Sequence, residues 1–106
     1  MAKKNAESQQ PEIQLDELQS IADFSKMILG DRTRIQIVYG LRSEAKNVGE
    51  LTRIIGQSQP AISHHLALLR ASKVVSSKRR GREVYYSLNR DGIKPILEML
   101  NSLAGD

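Results

Sequence analysis

The sequence predicts a mainly α-helical domain with one small two-stranded antiparallel β-hairpin, in the order α-α-α-α-β-β-α. Three observations support this fold class. Apolar residues recur at three- and four-residue spacing through most of the chain, which is typical of amphipathic helices. After Ser72 the spacing changes to alternation, which is typical of strands. Gly81 interrupts the alternating stretch and indicates a tight turn between two strands.

Length and composition place the chain among small folded proteins. Its 106 residues suffice for one domain, and self-association would add burial that a domain of this size needs. It has no cysteine, which excludes disulfides, thiolate metal sites and thiol redox sensing. Because no apolar run approaches the ~20 residues of a membrane span, and the first ten residues lack the apolar centre of a signal peptide, we expect a cytoplasmic protein.

The N-terminal segment and the first helix differ in composition. Residues 1–11 are polar and charged and are predicted to form a disordered tail, which leaves residues 12–106 as the folded domain. A first amphipathic helix is predicted from about Glu12 to Leu29, because its apolar residues keep helical spacing.

Residues that cap helix N-termini divide the following stretch into three helices. Asp31 is placed to cap the second helix. Asn47 begins the third, with Glu50 as its reciprocal partner in a capping box. Ser58 begins the fourth after a glycine-containing turn, and Pro60 is tolerated in its first turn.

The hairpin and a last helix complete the domain. The strands are predicted at Val74–Arg79 and Glu83–Leu88, with Arg80-Gly81 at the tip. In the last helix Pro95 is expected to make the first turn irregular, so that the regular part starts near that residue. A helix, tight turn and helix followed by a hairpin form a winged helix-turn-helix, in which the hairpin is the wing.

Positive charge is concentrated in the second half of the domain. Between Arg53 and Arg90 there are eight Lys and Arg residues and one acid, Glu83, so this module has a net charge of +7. The whole chain has a net charge of only +4. The rest of the chain is therefore negative. A segregated basic module indicates a polyanionic partner, and double-stranded DNA fits a winged helix-turn-helix best.

The fourth helix has the faces that a DNA-reading helix needs. Its spacing turns Ile62, Leu66 and Leu69 toward the core and leaves a slim, polar outer face that fits a major groove about 12 Å wide. His65 lies beside the apolar stripe and is interpreted as structural. The alternative is a surface helix whose outer face is small by accident. The predicted DNA contacts on this helix are Ser58, Gln59, Ser63 and His64.

The hairpin tip carries four cations within five residues. Such a cluster repels itself unless an anion lies between its members, so we expect it to contact phosphates or enter the minor groove. The alternative is a solvated hairpin tip. The predicted wing contacts are Lys78, Arg79, Arg80 and Arg82.

Four segments of the chain resemble the ArsR (arsenic-repressor) family of bacterial winged helix-turn-helix transcriptional regulators. They are LGDRTRIQIV, VGELTRIIG, SQPAISHHLALLR and VVSSKRRGREVYYSL, which fall in the family's order and spacing. The resemblance implies a homodimeric repressor on an inverted-repeat operator, joined through its first and last helices and released by an effector. The residues expected at this interface are Leu15, Leu18, Ile21, Ile96, Leu100 and Leu103.

The metal-binding positions of the family do not carry metal ligands in this chain. The resemblance places Asn47 and Gly49 where one family site has cysteines. Where the other site has carboxylates and histidines, the chain has Arg90, Gly92, Leu103 and Asp106. A guanidinium and an isobutyl group do not bind zinc, and one carboxylate is too few. We therefore expect no metal site and no cofactor. The inducer stays open between an organic ligand, a metal with unusual ligands, a partner protein and protein concentration alone.

Two other classes of function fit the sequence less well. An enzyme is not expected, because the sequence offers no nucleophile–base pair and no phosphate-binding glycine loop. A winged-helix protein–protein adaptor that does not read DNA is the nearer alternative. Such an adaptor would carry acidic residues on the fourth helix or the wing, and the charge of this chain is the reverse.

Overall fold

The computed structural model describes residues 14–105, and in this range five helices and three strands form a mainly helical domain. The predicted fold class is confirmed. The predicted tail of residues 1–11 and the predicted helix start at Glu12 lie outside the described residues. The elements are α1 Leu15–Leu29, α2 Arg32–Gly40, β1 Lys46–Asn47, α3 Val48–Ile55, α4 Gln59–Ala71, β2 Val75–Arg80, β3 Glu83–Leu88 and α5 Arg90–Leu103.

The predicted capping residues begin the helices as expected. Asp31 accepts a hydrogen bond from the backbone N–H three residues later, at 3.1 Å. Asn47 and Glu50 exchange side-chain-to-backbone bonds of 2.8 and 3.0 Å, which completes the capping box of α3. The Ser58 hydroxyl accepts from the N–H three residues later at 3.3 Å. Local chemistry therefore sets where α2, α3 and α4 begin.

The sheet has one strand more than predicted. β2 and β3 form the expected antiparallel hairpin, and β1 adds to the other edge of β3, so the order is β1-β3-β2. In the added pairs Lys46 lies opposite Tyr86 and Asn47 opposite Tyr85. A two-residue strand is too short to show alternation. It forms because the chain passes β3 on its way into α3.

The hairpin turn lies one residue later than predicted. Arg80 pairs with Glu83 as the last rung of the ladder, so the loop consists of Gly81 and Arg82. Gly81 has φ +65°, and Arg82 is outside the positive-φ region. This combination is the pattern of a type II′ turn, which needs glycine at its first central position.

The last helix passes through the proline that was expected to delay it. α5 begins at Arg90, and Pro95 lies inside it. The Asn89 backbone N–H donates to the Val74 carbonyl at 2.9 Å, and this bond directs the chain into the helix at that point. Proline removes only one helical hydrogen bond. Ile93 is buried before it and Leu100 after it, so packing keeps the helix continuous.

The hydrophobic core connects every helix with the hairpin. Each helix and both long strands contribute at least one buried side chain, so α4 and the wing are held in one fixed arrangement. None of the helices in residues 14–105 is both long and apolar enough to cross a membrane. The buried apolar residues are Ile28, Ile37, Val38, Leu41, Leu51, Ile62, Leu66, Leu69, Val74, Val75, Leu88, Ile93 and Leu100.

Candidate nucleic-acid interface

The turn between α3 and α4 is held by two local features. Gly56 ends α3 in the left-handed region at φ +79°, and its N–H donates to the Thr52 carbonyl at 2.8 Å. Gln57 then donates from Nε2 to the Thr33 hydroxyl at 2.6 Å, and Thr33 is buried in α2. The turn is therefore tied to the helix behind it. This bond sets the direction in which α4 leaves the turn.

The two faces of α4 lie as the sequence predicted. Ile62, Leu66 and Leu69 are completely buried. Ser63 and His64 are exposed on the opposite side, with the small Ala67 also exposed between the helix ends. The other two predicted contacts, Ser58 and Gln59, are exposed at the helix N-terminus. All four predicted side chains are therefore accessible, although the Ser58 hydroxyl is already used as the helix cap.

His65 joins α4 to the start of α2. Its Nδ1 lies 3.3 Å from Arg34 Nη1, and its Nε2 lies 3.8 Å from Asp31 Oδ2. Arg34 also donates from Nε to the carbonyl of Met27 at the end of α1. The interpretation of His65 as a structural residue is confirmed by these contacts. They link three helices at the inner side of α4, and the His65 ring also meets the ring of the exposed His64 edge-on, with the ring centres 5.5 Å apart.

The cap of α2 also affects the ionisation of its carboxylate. The backbone N–H of Arg34 lowers the pKa of Asp31 below its ordinary value, because the hydrogen bond favours the charged form. Partial burial acts in the opposite direction. The electrostatic effect of the neighbouring His65 and Arg34 side chains adds to the lowering.

The wing cations are all exposed, but they do not share one face. Neighbouring strand residues point to opposite sides of a sheet. Lys78 and Arg80 therefore lie on the outer face, where Lys78 is paired in register with Tyr85. Arg79 is paired with Val84 on the other face. Arg82 lies in the turn. The sequence predicted that these cations lie together at the tip, but it did not predict that they point to different faces of the hairpin.

One wing interaction was not predicted from the sequence. The guanidinium of Arg80 lies over the ring of Tyr85, 4.0 Å from its centre. The two residues are diagonal neighbours on the outer face, since Arg80 pairs with Glu83 and Tyr85 lies two residues further along the same strand. Once the register is known, the alternation of the strands predicts that these two side chains meet.

Two of the positions where the family resemblance would place metal ligands, Asn47 and Arg90, have structural roles here. Asn47 caps α3, and Arg90 donates from Nη2 to the carbonyl of Arg42. Gly49, Gly92 and Leu103 are exposed, and Asp106 lies outside the described residues. Across residues 14–105, no group of three or more histidine, aspartate or glutamate side chains is placed to hold a metal ion.

The residues predicted for self-association fall into two sets. Leu15, Ile21 and Leu103 are 72%, 60% and 77% exposed, and Leu18 is also exposed. Leu100 is instead buried in the core of the single chain. Ile96 is half-buried.

Two open grooves border these residues. One, of about 550 Å³, lies between α1 and α5 and is lined by Ile21, Phe24 and Ile96 among others. The other, of about 530 Å³, is lined by α2, α3 and the end of α5, including Leu103 and Ile54. Ile54, an apolar residue of α3, is 57% exposed at this groove.

Comparison with known proteins gave one matching family model and several relatives. The model of the bacterial regulatory proteins of the arsR family matches residues 31–77. The transcriptional repressor SdpR of Bacillus subtilis is 35% identical over 77 residues, which cover 69% of this chain and 86% of SdpR. The nodulation protein NolR of Rhizobium meliloti is 40% identical over 73 residues, which cover 69% of this chain and 60% of NolR. The match to the regulator KmtR of Mycobacterium tuberculosis covers 54% of that protein, so the chain spans little more than half the length of these last two curated relatives.

Solved structures share the fold over most of the chain. HlyU from Vibrio cholerae superposes with a TM-score of 0.79 at 28% identity, covering 88% of this chain and all of that one. HlyU is named a transcriptional activator. NolR from Sinorhizobium fredii gives a TM-score of 0.77 at 31% identity, covering 91% and 98%. At 21% identity, the winged helix-turn-helix domain of Mb0332 from Mycobacterium bovis (TM-score 0.74, covering 92% and 89%) shows the same fold.

Proposed function

Because the chain belongs to the arsR family of bacterial regulatory proteins, we propose that it is a sequence-specific transcriptional repressor that binds double-stranded DNA as a homodimer. One observation carries the proposal. The slim polar face of α4 and the cationic wing are exposed together, on a core that holds them in one arrangement. A helix for the major groove and a basic hairpin for the flanking backbone are the two parts that winged helix-turn-helix readout requires.

The chemistry of α4 suits base reading, and that of the wing suits phosphate binding. Ser63 and His64 offer hydrogen-bonding groups, and the small side chain of the exposed Ala67 leaves room beside them for the DNA. At the start of α4, Pro60 has no N–H and the Ala61 N–H already bonds to Ser58, so the Gln59 N–H is the backbone donor left for a phosphate at this helix end. Cations of the wing contribute affinity that does not depend on base sequence. Specificity is therefore assigned to α4 and general affinity to the wing.

The exposed apolar residues of α1 and α5 support a homodimer. A small domain that leaves Leu15, Ile21 and Leu103 in water gains burial by pairing these surfaces with a second copy. Two-fold pairing makes the same patch meet itself, and it presents two α4 helices to successive major grooves about 34 Å apart. The operator is accordingly expected to be an inverted repeat.

Repression follows from occupancy of a promoter in the cytoplasm, where the bacterial chromosome lies. SdpR is named a repressor and HlyU an activator, so members of this fold regulate in both directions. Repression needs no contact with polymerase beyond exclusion from the same DNA. It is the simpler function, because it requires only the proposed DNA-binding surface and the proposed self-association surface.

A mobility-shift titration of the region upstream of the protein's own gene, at several salt concentrations, tests the proposal. If each subunit neutralises ~4 phosphates, the logarithm of the affinity should fall with the logarithm of salt concentration at a slope of about −7. The Arg82→Ala variant should weaken all sequences similarly and flatten the slope by roughly two units, one for each subunit.

A cation outside the wing is the matched control. Lys94 is exposed on α5, and Lys94→Ala should leave the slope within the error of the wild type. A slope near zero for the wild-type protein, or equal effects of the two variants, would contradict DNA binding through the wing. Complete absence of DNA binding would favour the protein–protein adaptor.

A further inference from the structure

The outer face of the wing contains a stacked pair that the charge pattern alone does not explain. The Arg80 guanidinium lies 4.0 Å from the centre of the Tyr85 ring. Directly across the strand from Arg80 is Glu83, the one acid of the basic module. Among residues 14–105, Arg80 forms no ion pair with that acid. The Arg80 guanidinium therefore lies on the Tyr85 ring, although Glu83 is its partner in the strand pairing.

The backbone holds Tyr85 more firmly than the other residues of this face. Tyr85 lies in the central strand of the sheet, opposite Lys78 on β2 and opposite Asn47 on β1. It is half-buried, whereas Lys78 and Arg80 are exposed. The ring is thus a fixed surface, and the long Arg80 side chain is the mobile partner that rests on it.

Stacking of this kind changes how an arginine binds a phosphate. A free arginine side chain must be ordered when it binds, and this ordering weakens affinity by a factor of about 3 to 10 for each side chain. A guanidinium that lies flat on a ring has already given up much of this freedom before the partner arrives, while its edge N–H groups remain available as donors. Arg79 has no such ring contact in the described structure and points to the other face.

We propose that Tyr85 is a positioning residue of the wing, which holds Arg80 in the conformation that contacts a DNA phosphate. This inference depends on the proposed DNA binding and adds to it. It divides the wing into one arginine that is ordered in advance and others that become ordered on binding. Tyr85 itself need not touch DNA.

A double-mutant cycle tests the inference on the full chain. Tyr85→Leu should weaken operator binding by about tenfold for a dimer, and Tyr85→Phe, which keeps the ring, should stay within about twofold of the wild type. In an Arg80→Ala background the effect of Tyr85→Leu should vanish. In an Arg79→Ala background, the matched control on the opposite face, it should persist in full.

Two further measurements separate positioning from a general loss of structure. In the free protein, NMR should show the Arg80 side-chain protons shifted upfield by the ring, in the wild type and Tyr85→Phe but not in Tyr85→Leu. Arg80→Lys leaves Tyr85 in the sheet and keeps the charge, yet it should bind about threefold more weakly with an unchanged salt slope. This second variant keeps the test valid if Tyr85→Leu does not fold.

The outcomes distinguish this inference from the proposed function. If the wild-type protein binds no DNA, the proposed function is wrong. If it binds DNA but Tyr85→Leu acts equally in the Arg80→Ala and Arg79→Ala backgrounds, the positioning role alone is overturned. Wild-type affinity for Arg80→Lys would overturn it as well.

Discussion

At the scale of single residues, neighbouring side chains divide into those that hold the fold together and those exposed to a partner, even where the two touch. His65 and its neighbour His64 illustrate this division. The first contacts Arg34 and Asp31 on the inner side of α4, and the second is exposed. Because successive helix positions point about 100° apart, adjacent histidines take different roles.

The first prediction concerns base reading by α4. Ser63→Ala and His64→Ala should each change the ranking of operator variants, by about 1–3 kcal/mol for each hydrogen bond to a base that the substitution removes. The salt slope should stay the same, since both side chains are proposed to contact bases and not phosphates. Binding titrations against a set of single-base operator variants measure this. If both changes leave the ranking intact, the outer face of α4 does not read the bases.

The second prediction concerns the cap of α2. Asp31→Ala should lower the free energy of unfolding by about 1 kcal/mol at pH 7. The folded-state pKa of Asp31 is lowered, so the stabilisation is complete above the unfolded pKa of about 3.9 and is lost as pH falls through the folded pKa. Urea unfolding between pH 7 and pH 3 should therefore show the gap between wild type and variant closing in acid.

Asp31→Asn provides the matched control for the cap. Asparagine keeps a capping oxygen but has no titrating carboxyl, so its own capping contribution should not change with pH. A gap between wild type and Asp31→Ala that stays constant down to pH 3 would show that the charged carboxylate is not the stabilising species.

At the scale of elements, the corner between α4 and β2 is where the two halves of the candidate interface join. Lys73 lies at this corner with φ +64°, the left-handed region that non-glycine residues seldom adopt. Its carbonyl accepts a 2.6 Å hydrogen bond from the side chain of Asn89. Asn89 also binds the Val74 carbonyl through its backbone N–H. The corner is thus held by the segment that enters α5.

The third prediction follows from this strained backbone. The left-handed conformation costs a residue such as lysine roughly 1 kcal/mol, and asparagine tolerates it better. Lys73→Asn should therefore raise the melting temperature by a few degrees for a domain of this size. Lys73→Ala is the control, because it removes the same charge and retains the strain. Equal melting temperatures for the two variants would show that the gain, if any, is electrostatic.

At the scale of the whole molecule, the single chain leaves apolar side chains exposed on its first and last helices. Ile21 and Leu103 lie on α1 and α5 and remain more than half exposed, while the core between them is closed. A stable monomer seldom leaves large apolar residues this exposed beside open grooves. The dimer proposed above would cover them.

The fourth prediction tests this surface. Ile21→Glu should convert the dimer to a monomer in analytical ultracentrifugation, because a carboxylate would be buried at the centre of an apolar contact. Operator affinity should then fall by about 10²-fold, since the two half-sites are no longer bound together. Gln19→Glu adds the same charge to an exposed polar position of α1 and should change neither quantity. A monomeric wild-type protein would contradict the prediction.

The sequence by itself determined the features that arise from neighbours in the chain. Helix starts at Asp31, Asn47 and Ser58 were predictable because each cap bonds a backbone N–H only three residues later. The buried and exposed faces of α4 followed from helical periodicity. The basic module was visible because its charges lie in one part of the chain, and the arsR family was recognisable from four segments between Leu29 and Leu88.

Only the tertiary structure decided what depends on residues distant in the chain. The pairing of β1 with β3 joins positions about forty residues apart, and Ile54 is exposed because no element of the single chain covers it. The stack of Arg80 on Tyr85 needed the register of the hairpin, since a shift by one residue would place them on opposite faces. Periodicity shows which side of an element is apolar. Which side chains meet across elements is decided by how the whole chain packs.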